Sequence, residues 1–330
     1  MTRYKHSILL LPLLVLATPA LAQGPSSTIV QHGLNNGATI SQTDGGSVTA
    51  EIVQSGENLA ATITQHWDRT GLFPDVANTA SINQSGGLNT ATIEQAFSND
   101  GDANEAVIGQ GASSNLATIE QDAGINSARI NQSSGSNLAT VSQQLSLADG
   151  ANLVIIDQAG IGSNTANVSQ FAYAGTTHIV QNSSFSTADV EQYNGGHDAQ
   201  IRQSGALQTA EILQLVPDVH GRGAVSTVNQ NGIGNSAVTT QSETSYSSEI
   251  TQDGSGNSAT VEQHLETGSL LIQQFGSNNI ATAEFENSAV SSANIRQEGE
   301  DHIAKFVNNS SLSDTYIAQY GTGHIATVTQ

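Results

Sequence analysis

The chain has 330 residues, no cysteine, and only eight Lys and Arg against 29 Asp and Glu, for a net charge of −21. So acidic a surface argues against nucleic acid as a partner, and without cysteine no disulfide can staple the fold. Charged residues make up 11% and aromatics 4%, the composition of a disordered or prion-like tract unless a spacing rule organises it.

The first 22 residues read as a secretory signal. Arg3 and Lys5 give the charged start, Ile8 to Ala17 the apolar stretch, and Ala20-Leu21-Ala22 a small-x-small cleavage site. The apolar stretch is too short to span a bilayer and no later stretch qualifies, so no transmembrane span is expected and the mature chain is secreted. Removal of the signal leaves six basic residues against 29 acidic and a charge of −23, which keeps subunits soluble and mutually repulsive. A short N-terminal segment, 23–26, leads into the repeats.

From residue 27 to 330 one sentence is written thirteen times, in units 27–42, 50–65, 80–95, 106–121, 128–143, 154–170, 177–192, 199–214, 226–241, 248–263, 270–285, 293–308 and 315–330. The unit Ala80 to Gln95, ASINQSGGLNTATIEQ, shows the grammar. Ala80, Ile82 and Gln84 alternate with polar residues, and so do Ala91, Ile93 and Gln95, which puts each trio on one face of a strand. Gly86 and Asn89 between them are expected to supply the positive φ of a tight turn. The inner spacing, Gln31 to Gln42 or Gln54 to Gln65, is eleven residues in twelve units and twelve in the sixth, whereas the step to the next unit varies from Gln42–Gln54 to the longer Gln65–Gln84. The period is therefore about 22 residues, and the unit-to-unit arc is the tolerant surface loop. Pro74 and Pro217 sit in lengthened arcs, where no ladder hydrogen bond is needed.

The columns are strict. Every unit has Gln at the end of its first strand (Gln31, Gln54, Gln84, Gln110 and on to Gln319), and eleven have it at the end of the second (Gln42, Gln65, Gln95, Gln121 and on to Gln330), with Phe285 and Asn308 as exceptions. Ile or Val precedes the first glutamine by two residues, and Ala precedes the second mark by four, throughout. The second strand's aliphatic column is looser, with Thr239, Ala283 and Phe306 in it; two different columns are read as two different walls of one narrow core. Gly fills the second turn position in most units (Gly33, Gly56, Gly86, Gly232, Gly254), and Asn the fifth (Asn36, Asn89, Asn115).

Stacked in register, these units make an all-β, two-sheet parallel β-solenoid of about 13 strand-turn-strand coils. Strand spacing of ~4.8 Å gives a rod roughly 60 Å long. An unpaired amide in an apolar interior costs about 2–7 kcal/mol, but a stacked Gln can donate to the coil on one side and accept from the other, as in cross-β stacks. The first and last coils would be left with open hydrogen-bonding groups. Gln330 is itself a column position, and neither end shows a cap of the kind soluble solenoids need, so end-to-end polymerisation is expected.

Gln-x-Gly-x-x-Asn-x-Ala-x-Ile-x-Gln, as in Gln31 to Gln42 or Gln84 to Gln95, resembles the curlin repeat of bacterial curli fibre subunits, over essentially the whole mature chain. The resemblance implies a functional amyloid that polymerises at the cell surface into fibres serving adhesion and biofilm matrix. It ties polymerisation to the repeat glutamines and turn asparagines. The implied partners are further copies of the chain, a second curlin-type subunit as nucleator, and export and chaperone factors. The chain has more units than the well-known subunits, and lacks their longer segment between signal and first repeat. The divergent marks Phe285 and Asn308 leave the major and nucleating roles both open.

No catalytic constellation is present, so no enzyme activity and no cofactor are expected. Glu94 and Glu120, and Glu262 and Glu284, share outward columns in adjacent units, where stacked charges repel; they read as solubility charges that brake aggregation. His302 and His324 replace the turn Asn in neighbouring units, a weak candidate for a metal or pH-sensitive pair, against the plainer reading of a tolerated polar substitution. Trp67 and Phe73 lie in the longest arc, where they would fold over the rod as a satellite cluster. The alternative function is a monomeric binding solenoid. An ice-binding face would want regular outward threonines, and Thr39, Thr62, Thr92, Thr118 and Thr140 supply part of one before Asn167, Asp189, Glu211 and Lys305 interrupt it. The nonapeptide Gly/Asp pattern of a calcium-dependent adhesin is absent.

Overall fold

The computed structural model describes residues 25–43, 48–67, 78–97, 103–122, 124–145, 150–172, 174–215, 223–242, 246–264, 268–286, 291–309 and 313–330. The signal sequence, Phe73, Pro74 and Pro217 lie outside the described residues.

Alternation of short apolar and polar residues makes strands everywhere. The coils are β1 (Ser26–Leu34) with β2 (Gly37–Thr43), β3 (Val48–Glu57) with β4 (Ala60–Trp67), β5 (Asn78–Gly87) with β6 (Thr90–Phe97), β7 (Glu105–Gln110) with β8 (Leu116–Asp122), and β9 (Ile125–Gln132) with β10 (Leu138–Leu145). They continue as β11 (Ala151–Gln158) with β12 (Thr165–Ala172), β13 (Thr176–Ser184) with β14 (Thr187–Tyr193), β15 (Asp198–Ala206) with β16 (Thr209–Leu215), and β17 (Val225–Ile233) with β18 (Ser236–Ser242). The last four are β19 (Tyr246–Ser255) with β20 (Ser258–His264), β21 (Gly268–Ser277) with β22 (Ile280–Phe285), β23 (Ser291–Glu300) with β24 (Ile303–Asn308), and β25 (Ser313–Thr322) with β26 (Ile325–Thr329).

The odd-numbered strands form one 13-stranded sheet and the even-numbered strands another, each in sequential order. All pairing is parallel and in register: Gln31 lies beside Gln54, Gln54 beside Gln84, and Ala38, Ala61 and Ala91 continue one another. This is a two-sheet β-solenoid, and no helix occurs among the described residues.

The core is a thin layer of Ala, Ile and Val between the sheets, sealed along both margins by glutamine. The expectation of two chemically different walls is corrected. Ala50 and Ile52 of the first sheet and Ala61 and Ile63 of the second are all buried, so each wall carries both a small and a large column. Side-chain period two explains this: the residues two and four before each glutamine necessarily share its inward face. At the end coils the same columns are only partly covered, as at Ile29, Ala38, Ile40, Ala326 and Val328. Among the described residues β1, β2, β25 and β26 pair on one side only.

The turn inside each coil is also stacked. Gly37 N–H donates to Leu59 O and Ala60 N–H to Asn89 O, so the backbone ladder continues around the bend. Gly232 has φ +113°, and a Cβ there would stand 1.9 Å from the carbonyl oxygen of Gly254 in the next coil. A second correction concerns the turn conformation. The left-handed residue beside Gly86 is Leu88 (φ 57°), not Asn89. Leu207 (φ 55°) occupies the corresponding position two-thirds of the way along the rod, where other coils use Gly234, Gly256 or Gly323. The conformation is imposed by the stack, and leucine endures it there.

Two opposite effects follow for the second and fourth turn positions. Gly232→Ala should lower the midpoint of chemical unfolding, with an overpacking cost of roughly 1–3 kcal/mol or more. Leu207→Gly should raise it by about 0.5–1 kcal/mol, because relief of left-handed strain exceeds glycine's entropic cost.

Candidate functional site

The feature that runs the length of the rod is a pair of amide ladders. In the first sheet Gln31 Nε2 donates to Gln54 Oε1 (2.7 Å), Gln54 to Gln84 (2.9 Å), Gln84 to Gln110 (2.7 Å) and Gln110 to Gln132 (2.9 Å). The series continues without a break to Gln297 and Gln319 (2.8 Å). From Gln54 on, each amide spends its second N–H on a main-chain carbonyl of the facing strand: Gln54 on Gly37 O (3.0 Å), Gln84 on Ala60 O (3.1 Å), Gln203 on Thr187 O (2.9 Å), while Gln31 uses Asn36 O (3.1 Å) in its own turn. That carbonyl fixes the orientation of the amide, since a carbonyl only accepts. Every bond therefore runs the same way, from Nε2 of one coil to Oε1 of the next. The ladder has an acceptor end at Gln31 and a donor end at Gln319.

The second ladder lies on the opposite margin. Gln42 donates to Gln65, Gln65 to Gln95 and Gln95 to Gln121, each at 2.8 Å, and the series reaches Gln263. There it stops, because the next coil has Phe285, and the buried Nε2 of Gln263 has no hydrogen-bond partner. Phe285 packs edge-on against Phe306 of the following coil, with centroids 5.3 Å apart and planes at 69°. Ala283, in the aliphatic column between Val261 and Phe306, leaves the space these rings need. Gln330 resumes the column and is exposed.

Asparagines stitch the turns. Asn36 Oδ1 accepts from Leu59 N–H (3.1 Å), Asn89 Oδ1 from Asn115 N–H (2.9 Å), and Asn115 Oδ1 from Asn137 N–H (3.0 Å). In Asn36, Asn89, Asn235 and Asn279 the amide nitrogen reaches back to the carbonyl four residues earlier and forward to the next coil, as Asn235 does to Asn231 O (2.9 Å) and Gly254 O (3.2 Å), whereas the buried Asn115 Nδ2 has no partner. A second asparagine column, at the arcs between units, was not anticipated from the sequence. Asn78 Oδ1 accepts from Asn104 N–H and Asn104 Oδ1 from Asn126 N–H, both at 2.9 Å, and Asn152 continues it to Gly175. These residues stand six before the first-strand glutamine, as Asn36 stands six before Gln42. That spacing is the signal that could have found them.

Histidine substitutes for asparagine in both columns. His197 Nδ1 accepts from Ala224 N–H (3.1 Å) and its Nε2 donates to Tyr193 O (3.2 Å). His302 Nδ1 accepts from His324 N–H (3.2 Å) and its Nε2 donates to Glu298 O (3.2 Å). The expected pairing of His302 and His324 is present, with rings 5.2 Å apart and 7° from parallel. His302 is fully buried and His324 exposed. Burial pushes the His197 imidazole below the ordinary histidine value, against the opposing pull of the Tyr193 and Asn194 carbonyls.

The paired glutamates and the threonines lie on the outer face of the second sheet. Glu94 lies beside Glu120 and Glu262 beside Glu284 in register on the outer face of the second sheet. Thr39, Thr62, Thr92, Thr118 and Thr140 form one unbroken outward column that gives way to Asn167. Trp67 closes β4. Among the described residues no group of three or more His, Asp or Glu is placed to hold a metal ion.

Comparison with protein families finds that residues 77–110 match the curlin associated repeat. Comparison with curated proteins gives no match. The matched segment holds Gln84, Gln95 and Gln110, Asn89, and the Asn78–Asn104 contact, so both ladders and both asparagine columns pass through it.

Gln203→Leu should cost about 2–4 kcal/mol, since it strands Gln181 Nε2, Gln230 Oε1 and Thr187 O together; Gln31→Leu, at the acceptor end, should cost about 1 kcal/mol or less. Hydrogen exchange of the flanking strands would separate the two. For His197 the proton sits more readily on the unfolded chain, so its contribution to stability is present above about pH 6.5 and is lost as pH falls through the lower folded value. His197→Asn should keep both hydrogen bonds and flatten thermal stability between pH 7 and 5.

Proposed function

We propose that this chain, whose residues 77–110 match the curlin associated repeat, is a secreted structural subunit that polymerises end to end into curli-like amyloid fibres at the cell surface, serving adhesion and biofilm matrix. The observation that carries the reading is the one-way amide ladder. It crosses thirteen coils without loss of register, and its last donor and first acceptor are chemically the pair that every internal step already joins. The open backbone edges of β1, β2, β25 and β26 offer the same templating. The family is structural rather than enzymatic. The partner is a further copy of the chain, with a second curlin-type subunit as nucleator and export and chaperone factors before assembly. A second reading, an ice-binding solenoid, draws on the in-register threonine column. That column covers five coils and is then replaced by Asn167, Asp189 and Glu211.

A seeding assay tests the proposal. The mature chain is purified under denaturant, diluted, and followed by thioflavin fluorescence with and without preformed fibres, then by electron microscopy. The expected result is a lag that seeds abolish and fibres in the images, with slower growth for folded Gln31→Ala and Gln330→Ala. A folded β-rich monomer that seeds never recruit would count against polymerisation and turn attention to ice recrystallisation assays.

A further inference from the structure

Resting on the polymer reading, we propose that the joint between copies has a single register and is closed at the turn by neutral His324. In this joint β1 and β2 of one copy seat on β25 and β26 of another. Continuing the rod's own register past its last coil sets Gln31 on Gln319, Gln42 on Gln330, and Asn36 on His324. The first pair extends the amide ladder in its observed direction.

The third pair decides the chemistry. At every internal step except those after Leu59 and Gln208, the residue in this turn column accepts the backbone N–H of its successor. Asn257 takes that of Asn279 (3.1 Å), Asn279 that of His302 (3.2 Å), and His302 Nδ1 that of His324 (3.2 Å). The two imidazoles lie 7° from parallel. Both set Nε2 over the glycine three residues earlier, Gly299 for His302 and Gly321 for His324. His324 therefore has the orientation of His302, and its Nδ1 faces the coil that would follow. There the N–H of Asn36 from the incoming copy is the donor.

Asparagine in this place accepts at any pH, whereas imidazole accepts only while Nδ1 is bare. A proton on Nδ1 would set N–H against N–H at the joint. The charged and titratable groups on the elements around His324 are Glu298 (paired with Arg296), Glu300, Asp301, His302, Lys305, Asp314, Tyr316 and Tyr320. The incoming face, residues 25–43, brings only His32.

The test measures soluble protein left at steady state after fibres have formed, at pH 7.5 and pH 5.0, for the mature chain and for His324→Asn, His32→Ser and His197→Asn. A lost acceptor opposite a buried donor should raise the soluble concentration of the parent chain about tenfold at pH 5.0. His324→Asn should show no such rise, and His32→Ser and His197→Asn should keep it. Equal soluble concentrations of the parent chain at the two pH values, or a rise that survives in His324→Asn, would overturn the proton-sensitive joint and leave polymerisation standing. No fibres from any variant at pH 7.5 would overturn polymerisation itself, and the joint with it.

Discussion

In-register parallel stacking governs everything else in this molecule. Once each coil lies on the last with no shift, every side chain has its own equivalent as a neighbour about 4.8 Å away. A residue type then survives in the interior only if it can live beside itself. Ile, Val and Ala can, by simple packing. Gln and Asn can because each carries donors and acceptors that face opposite ways along the axis. A buried carboxylate cannot, and the acidic residues of the sheets accordingly point outward, even where Glu94 meets Glu120.

The exceptions are instructive because the same rule forces them to be collective. Phe285 could not replace a glutamine alone. It needed Ala283 beside it and Phe306 in the next coil, and it still left Gln263 with an idle N–H. Histidine, by contrast, enters at no visible cost to the hydrogen-bond pattern. Nδ1 and Nε2 of His197 and His302 reproduce the acceptor and donor of an asparagine amide. What changes is that the acceptor now depends on protonation.

Much of this was legible in the sequence because a self-stacking column writes itself as a repeat. The Gln, Ala and Ile columns gave coil number, sheet pairing and core. The asparagine column at Asn78, Asn104, Asn126 and Asn152 escaped because the arcs before it vary in length, so counting forward from the previous glutamine scatters it. Gly175, His197 and Ala224 then replace it in later coils. The left-handed Leu88 and Leu207 could not be foreseen from residue type, since leucine carries no turn preference and only the stack above and below dictates the bend. The sequence also shows that glutamines align, but not which way each amide points; facing-strand carbonyls such as Gly37 O and Thr187 O decide that.

That common orientation makes the rod an electrical object. Backbone dipoles in a sheet largely cancel, but amides aligned head to tail add, as peptide units do along a helix. Two rows of them point the same way, one from Gln31 to Gln319 and the other from Gln42 to Gln263, and leave partial negative charge at the Gln31 end and partial positive charge toward the Gln319 end. Like ends repel and unlike ends attract before any contact forms. Rods lying side by side have lower energy when they run in opposite directions, and added salt weakens both preferences.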